Sequence, residues 1–432
     1  MKRILIFLAT FWVAIYNNSR IRTDAPTYDV FCIFKDLSKF TRIAEIGVLL
    51  VIFIAVISST DIKNIRKVLV SLLVFFGISV LGIVASPSNF LVQVQGVFVY
   101  IGPIIFFICA YGAGINSKDI DFLLNFYFVY TLVNIVATLL YVVPTYQEVG
   151  DINQAFFSDA HVFGTFVALI SCMFFYKFLI SGKSINAFYS LALMAFSFIP
   201  SNEKMILFNF LAIVILLIYS YRINPAQNKA LLYGMGGVGI VGSVILYNKA
   251  IAFIDSPDVG LRITDVVEVG LANLGFVNAW PIALKAIGSS VLTFVFGLGS
   301  GNYGGIAAGR FLAEGSDLSA ISQSFYEQLV SGEGLAGAFN IQTNTWSNLL
   351  AEYGISGFVV FTISIYAIVR MVNNASQRSP RFAELKLLFF LLFAALVFQG
   401  LITPYTNWGD TIFTYPMMFV GGYIVKSQHA QT

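Results

Sequence analysis

The sequence predicts an all-α polytopic membrane protein with about twelve transmembrane helices and one large external loop that contains short helices. Three observations predict this fold class. Of the 432 residues, 58% are hydrophobic and only 11% are Asp, Glu, Lys or Arg, whereas an ordinary soluble domain is about 25% charged. Apolar segments long enough to cross a bilayer recur along the chain. Basic residues also concentrate in alternate loops between these segments.

Hydropathy places the spans in order, each at or near the length that a helix needs to cross the hydrocarbon core. They are 4–17, 43–59, 67–86, 90–114, 121–144, 157–180, 185–200, 205–221, 230–253, 347–369, 386–402 and 411–425. The first nine lie within 1–253, a long loop occupies 254–343, and 344–432 holds the last three spans and a C-terminal tail. A secretory signal peptide is the alternative interpretation of the first segment, because a charged start and a short apolar core fit both.

The orientation follows from charge, because Lys and Arg concentrate in the cytoplasmic loops of membrane proteins. With both termini cytoplasmic, these loops hold 15 of the 25 basic residues and leave 18 of the 22 acidic residues on the opposite side. Every cytoplasmic loop is then neutral or basic except the one with Lys118, Asp119 and Asp121, so twelve spans form a consistent solution. The net charge of +3 reflects this asymmetry and does not indicate nucleic-acid binding.

The loop 254–343 is far longer than the other connections, and loops of this length are usually functional. It contains a second apolar stretch, 282–299, which we interpret as a helix that lies on the membrane or re-enters it, because counting it as a span would reverse the charge rule. The stretch ends in the glycine-rich GLGSGNYGG, which lacks the Lys and Ser/Thr of a phosphate-binding P-loop. Either a flexible turn or close backbone approach to a ligand would explain these glycines.

A polar stripe opens the tenth span, in the stretch NTWSNLLAEYGISGF. Asn344, Asn348 and Glu352 are four residues apart, so they share one helical face over about 12 Å. An intramembrane carboxylate costs about 3 kcal/mol or more at the helix centre, so it normally faces a cavity or a partner. The stripe is therefore either one wall of a site or an Asn-capped helix end with Glu352 in the interface.

Further polar residues fall on the predicted outer side. Asp159 and His161 begin the sixth span, and Lys204 occupies a tight turn between two spans. Arg262 and Arg310 lie in the long loop. Capping, packing, a solvated turn or interfacial anchoring would explain each residue singly. As a set, the three cations suit a phosphate or pyrophosphate group. The His, Cys and Asp residues have no metal-ligand spacing, so neither a metal nor a cofactor is expected.

These motifs resemble the O-antigen polymerase and O-antigen ligase superfamily. Its members carry a large periplasmic loop and then a helix beginning with a pattern like H-N-x-aromatic-x-x-x-L-x-E-x-G-(I/L)-x-G. This chain has TNTWSNLLAEYGISG, and the residues that match are Asn344, Trp346, Leu350, Glu352, Gly354 and Gly357. Thr343 stands where the ligases have a His. The segments FFSDAHVFGTF, SNEK and WPIALKAI…GLGSGNYGG are similar to further family motifs, so the resemblance covers about 150–360.

The resemblance implies a bacterial inner-membrane glycosyltransferase that uses undecaprenyl-pyrophosphate-linked oligosaccharides at the periplasmic face. It implies that Glu352, or alternatively His161 or Asp159, accepts a proton from the attacking sugar hydroxyl. Arg262, Arg310 and Lys204 would bind the pyrophosphate, and Asn344, Asn348 and Trp346 would bind the acceptor. Membrane lipid, a chain-length regulator and a repeat-unit flippase are the other partners that the resemblance implies.

A polymerase is favoured over a ligase that transfers to lipid A core or protein, because Thr343 replaces the ligase His. A flippase for the same lipid-linked sugars is the alternative from another class, since it also needs cations and an apolar groove. It would require polar residues along the full membrane depth, whereas the isolated polar residues of the spans can form helix-to-helix hydrogen bonds. A regulatory or scaffold protein with a degenerate site is the third alternative.

Overall fold

The computed structural model describes residues 1–19, 28–34, 38–59, 63–85, 90–142, 155–157, 160–197, 275–300, 345–376, 379–402 and 411–429. Within these ranges the chain forms helices and no strand. Five helices are long and apolar enough to cross a membrane, namely Lys63–Ile83, Gln93–Gly112, Ser117–Val142, Val162–Ser181 and Thr345–Asn374. The predicted all-α membrane fold is confirmed in this form, and the count of twelve spans stays a prediction.

The helices begin with α1, which comprises Lys2–Phe7, a π-helical turn at Leu8–Trp12, and Val13–Asn18. The next are α2 (Tyr28–Phe31), α3 (Ser38–Ser59), α4 (Arg66–Ala85), α5 (Phe90–Gly112), α6 (Ser117–Ala137, continued by the π-helical Thr138–Val142), α7 (Ala160–Ser181) and α8 (Ser184–Ser197). The last are α9 (Gly275–Ile287), α10 (Val291–Phe296), α11 (Thr345–Asn374), α12 (Pro380–Ile402) and α13 (Thr411–His429).

Helices occupy ten of the twelve predicted spans, with boundaries that differ by several residues. The predicted spans 205–221 and 230–253 lie outside the described residues. The single helix expected over 282–299 is instead the end of α9 followed by the short α10. A capping box at Ser290 and Thr293 starts α10, because each side chain satisfies the backbone N–H of the other residue.

The described residues form two compact units. The first contains those within Met1–Asn134, Phe156–Ser158 and Asn278–Thr432, and the second contains those within Ile135–Ala155 and Asp159–Val277. In the second unit α7 and α8 pack on each other, and the Ser171 hydroxyl donates to the carbonyl of Ser190 at 2.7 Å.

Helix α5 lies in the core of the first unit and packs against α3, α4 and α13. Its stretch 104–110 is at most 2% exposed at every residue. The helix approaches α13 closely at Gly422, where an added Cβ would lie 2.8 Å from both the Ala110 Cβ and the Tyr111 backbone nitrogen. Small residues at such crossings let membrane helices approach closely and gain van der Waals contact.

Ion pairs gather at one end of the first unit. Lys2 pairs with Asp119 at 2.9 Å, and Arg381 pairs with both Asp121 and Glu384. Burial alone would lower the pKa of the Arg381 guanidinium, but the bonds and charges of Glu384 and Asp121 outweigh it, so the pKa is raised. These residues come from three loops that charge assigns to one side. The N-terminus and the starts of α6 and α12 therefore lie at the same end.

A buried amide joins the end of α1 to two short segments. The Asn18 side chain donates to the carbonyls of Phe31 at 2.8 Å and Phe156 at 3.3 Å. It accepts from the backbone N–H groups of Ile33 at 2.9 Å and Phe34 at 3.2 Å. Since an amide offers two donor hydrogens and one acceptor oxygen with two lone pairs, these bonds use its full capacity. Asn18 thereby fixes α2 and Phe156 against the end of α1.

We expect Gly422→Ala to lower the thermal midpoint of the purified protein, because the new methyl group overlaps the α5 backbone. Overpacking of this kind costs about 1–3 kcal/mol. Gly77→Ala is the matched control, since a Cβ there meets nothing within 4 Å. Alanine is the better helix former, so the control should be neutral or stabilising. A Gly422→Ala protein as stable as the control would contradict the close α5–α13 contact.

Candidate functional site

Helix α11 is broken at Gly354, whose φ of 65° and ψ of −172° are not helical. The helix therefore consists of a first arm, 345–353, and a second arm, 355–374. The rings of Trp346 and Phe361 are 6.5 Å apart, although these residues would be about 22 Å apart along a straight helix. The two arms fold toward each other. The polar stripe thus lies on a short arm and does not continue down a straight span.

Two glycines interlock at this break. Gly297 has a φ of 81°, and a Cβ there would lie closer than 3.0 Å to the carbonyl carbon and oxygen of Glu352. A Cβ on Gly354 would come equally close to the carbonyl of Val295 and the nitrogen of Gly297. Both glycines combine a left-handed φ, which L residues rarely adopt, with a close approach to backbone atoms that cannot rotate away.

Hydrogen bonds across the same contact replace those that the break removes. The carbonyls at the end of a helical segment have no partner inside it, and they require other donors when they are buried. The backbone N–H of Leu298 donates to Ala351 at 2.9 Å, and that of Gly299 donates to Glu352 at 3.1 Å. The Ser356 hydroxyl donates to the Val295 carbonyl at 2.6 Å. The turn after α10 therefore caps the first arm.

The contact with the first arm involves the beginning of the glycine-rich motif GLGSGNYGG. Gly297 and Gly299 both have positive φ, and the backbone there closely approaches another segment of the chain, whereas the sequence suggested a flexible turn or an approach to a ligand. Its partner is the backbone of the first arm, and the turn is held by hydrogen bonds. The rest of the motif, 301–305, lies outside the described residues.

Helix α9 supports the first arm through an apolar cluster. Ala283 and Ile287 are fully buried and pack in one cluster with Leu350 and Ala351, and Trp280 packs against it. The W-x-x-A motif therefore contributes packing residues to the face of the arm that carries Leu350 and Ala351.

Glu352 and Asn348 lie on a buried part of the first arm. Glu352 is 2% exposed and Asn348 is 5% exposed. All of the arm from Ser347 to Tyr353 is buried, so it presents no polar surface to lipid. The Glu352 carboxylate interacts electrostatically with the hydroxyls of Tyr100 and Tyr353. The Tyr353 hydroxyl pairs with the Ser300 hydroxyl at 2.8 Å.

Five aromatic rings fill the space between the two arms. Phe361 of the second arm contacts Phe75, Tyr100 and Trp346, with ring centroids 5.8, 5.6 and 6.5 Å away. Tyr353 contacts Phe75 at 4.9 Å and Tyr100 at 5.3 Å. The Trp346 indole nitrogen is buried and meets no acceptor among the described residues. Trp346 is therefore partly a packing residue of this cluster.

The structure brings together three of the predicted site residues, Glu352, Asn348 and Trp346, on one arm. His161 lies in α7 of the second unit, and its side chain is outside the described part of the chain. The other predicted site residues also lie outside it: Asp159, Lys204, Arg262, Arg310 and Asn344. Their assigned roles stay predictions.

The sequence reasoning missed a second buried carboxylate, Glu45 on α3, which is 1% exposed. Its two oxygens accept hydrogen bonds from the Tyr415 hydroxyl and, at 3.3 Å, from the Trp12 indole. Glu45 thereby joins α1, α3 and α13. Its position inside the predicted span 43–59 was the available signal, because carboxylates in membrane spans are rare and normally have partners.

No family model matches the sequence, and the curated proteins contain no significant match.

Gly354→Ala and Gly297→Ala should each prevent stable folding, because the new Cβ overlaps backbone atoms of the other segment. Gly114→Ala is the matched control, since its φ of 67° is also one that L residues rarely adopt, while nothing lies within 4 Å of the new Cβ. That conformation alone costs about 1–2 kcal/mol. Fluorescence-detected size-exclusion chromatography would compare the three. Monodisperse Gly354→Ala protein at the control level would show that the interlock is dispensable.

Proposed function

We propose that this chain is a membrane glycosyltransferase that joins undecaprenyl-pyrophosphate-linked oligosaccharide repeat units. The observation that carries the proposal is Glu352, a buried carboxylate one helical turn after Asn348, on an arm enclosed by protein and held by the turn at Gly297. Irregular polar backbone at membrane depth is tolerated where protein buries it or where it lines a cavity. Such an arm can present an acid and an amide to a sugar without exposing them to lipid.

In the proposed reaction a sugar hydroxyl of a new repeat unit attacks the anomeric carbon of the growing chain. The new glycosidic bond forms as the bond from that carbon to the pyrophosphate oxygen breaks. Glu352 accepts the hydroxyl proton, and undecaprenyl pyrophosphate leaves with the bonding electrons. Arg262, Arg310 and Lys204 stabilise its negative charge electrostatically, without a metal. Asn348, with Asn344 and Trp346, orients the acceptor.

The burial of Glu352 sets a condition on this reaction. A general base must come within hydrogen-bond reach of the proton that it accepts, and Glu352 is 2% exposed. Substrate entry therefore requires the surroundings of the first arm to open. Closure around the substrate would then exclude water, which would otherwise compete with the sugar hydroxyl as nucleophile.

The proposed setting is the bacterial inner membrane, with both termini cytoplasmic and the Glu352 region toward the periplasm. The ion pairs that gather the N-terminus and the starts of α6 and α12 at one end support it. A chain-length regulator and a repeat-unit flippase are the proposed protein partners. A ligase acting on lipid A core or protein is the nearest alternative.

Glu45 is the observation that favours the other alternative, a flippase for the same lipids, because buried intramembrane carboxylates often mark transport pathways. Both of its oxygens, however, accept hydrogen bonds from side chains that join three helices. That arrangement suits a structural group better than a mobile carrier of protons. Polymerisation is therefore the preferred proposal.

Glu352→Gln should reduce the rate of polymerisation about 100-fold or more, because the amide keeps the shape but cannot accept the proton. The assay uses purified protein and lipid-linked repeat units extracted from cells that lack this gene. Glu45→Gln is the matched control, since it makes the same change at another buried carboxylate and should keep most of the activity. Equal rates for Glu352→Gln and wild type would make Glu352 a structural residue.

Arg262→Ala and Arg310→Ala should each abolish polymer while folded protein stays in the membrane. Replacement by Lys should restore less activity than charge alone suggests, because an ammonium cannot make the two-pronged contact of a guanidinium with phosphate. Polymer gel analysis and membrane protein levels are measured together. Full activity of both Ala variants would remove pyrophosphate binding from these residues.

A further inference from the structure

Tyr100 faces the first arm of α11 from α5. It is 4% exposed, and its ring packs edge-on against Tyr353 and Phe361. Its hydroxyl donates to the Thr345 carbonyl at 3.5 Å. Since hydroxyl hydrogen bonds usually measure about 2.5–3.0 Å, this bond is long and weak. The ring is thus fixed by packing, while the hydroxyl is held only by a weak hydrogen bond.

The two tyrosines beside Glu352 differ in this respect. The Glu352 carboxylate acts electrostatically on both hydroxyls. The Tyr353 hydroxyl has a short partner in Ser300 at 2.8 Å. Among the residues that the structure describes, the Tyr100 hydroxyl bonds to Thr345 alone, at this long distance and two helical turns before Glu352. The Tyr353 hydroxyl is therefore engaged in a short contact, whereas the Tyr100 hydroxyl can exchange its weak bond for one to a ligand oxygen at small cost.

We propose that the Tyr100 hydroxyl is a further acceptor-binding group, which donates a hydrogen bond to a hydroxyl oxygen of the acceptor sugar. It binds from α5, opposite Asn348 and Glu352 on the first arm. The phenol takes no part in proton transfer and only orients the sugar ring. The inference rests on the proposed function, because it requires an acceptor sugar at the first arm.

The test compares Tyr100→Phe with Tyr353→Phe, since each removes one hydroxyl and keeps the ring in the aromatic cluster. Initial rates are measured with the full-length protein in lipid nanodiscs. The donor is a lipid-linked repeat unit whose attacking hydroxyl is blocked, so that it cannot also serve as acceptor, and it is present at a fixed saturating concentration. The acceptor is the repeat-unit oligosaccharide released from its lipid and carrying a fluorescent tag, and its concentration is varied. Thermal midpoints of both variants are recorded.

Tyr100→Phe should raise the KM for the tagged acceptor about tenfold, which is the loss of one hydrogen bond of ordinary strength. Its kcat should change less than about threefold, because the hydroxyl is not a transition-state group. Tyr353→Phe should lower the thermal midpoint and kcat, through the lost Ser300 contact, with an unchanged KM. An unchanged KM in Tyr100→Phe would overturn the inference, and so would an equal KM increase in both variants.

A binding measurement separates this inference from the proposed function. If the wild-type protein transfers no sugar, the proposed function fails, and fluorescence anisotropy of the tagged oligosaccharide then decides the role of Tyr100. A Kd about tenfold weaker for Tyr100→Phe than for wild type would support the binding role. Equal Kd values, or no binding by wild type, would overturn it.

Discussion

The contact between Gly297 and Gly354 is the constraint on which the rest of the candidate site depends. Each glycine occupies space that no larger residue could share, because the backbone of the other segment lies against it. The break at Gly354 allows α11 to fold back, and the break is tolerable because Leu298 and Gly299 supply donors to the freed carbonyls. Glu352 lies within this contact, so its position follows from backbone geometry.

The folded arm explains how a polar stripe exists in so apolar a chain. A carboxylate facing lipid would be costly, and a straight span would place the stripe at increasing depth. In the structure the arm is enclosed instead, with Leu350 and Ala351 packed on α9 and the aromatic cluster between the two arms. The buried carboxylate of Glu45 is stabilised in another way, because the Trp12 indole and the Tyr415 hydroxyl donate hydrogen bonds to it inside the helix bundle.

Hydropathy and charge predicted most of the described helices, because a bilayer requires long apolar segments and loop charge follows topology. The pattern of the tenth span also placed Glu352 and Asn348 on one face. The pattern did not reveal the break in the helix, because Gly354 and Gly357 equally suit close packing of two unbroken helices. A break can be told from close packing only when the segment that lies against Gly354, 295–299, is known. Trp280 and Ala283 likewise matched a motif, but their packing role depends on which helix they contact. Glu45 was missed because nothing in its own segment indicates Trp12 or Tyr415, which are distant in sequence.

The forces around the first arm differ from one side to the other, and this difference determines where the site can open. At Gly354 the first arm is held by two backbone hydrogen bonds, and Ser356 at the start of the second arm adds a third bond to Val295. The backbone at Gly297 also lies directly against the break. Rotation there would leave buried carbonyls without donors, which costs about 1–3 kcal/mol for each group.

Toward α5 the arm is held by ring contacts and by the 3.5 Å bond from Tyr100 to Thr345. An aromatic pair contributes about 0.5–1.5 kcal/mol beyond the area that it buries, and separating the rings leaves no buried backbone group without a partner. Opening should therefore separate α5 from the first arm and leave the break at Gly354 fixed, so that Glu352 keeps its position while access to it changes.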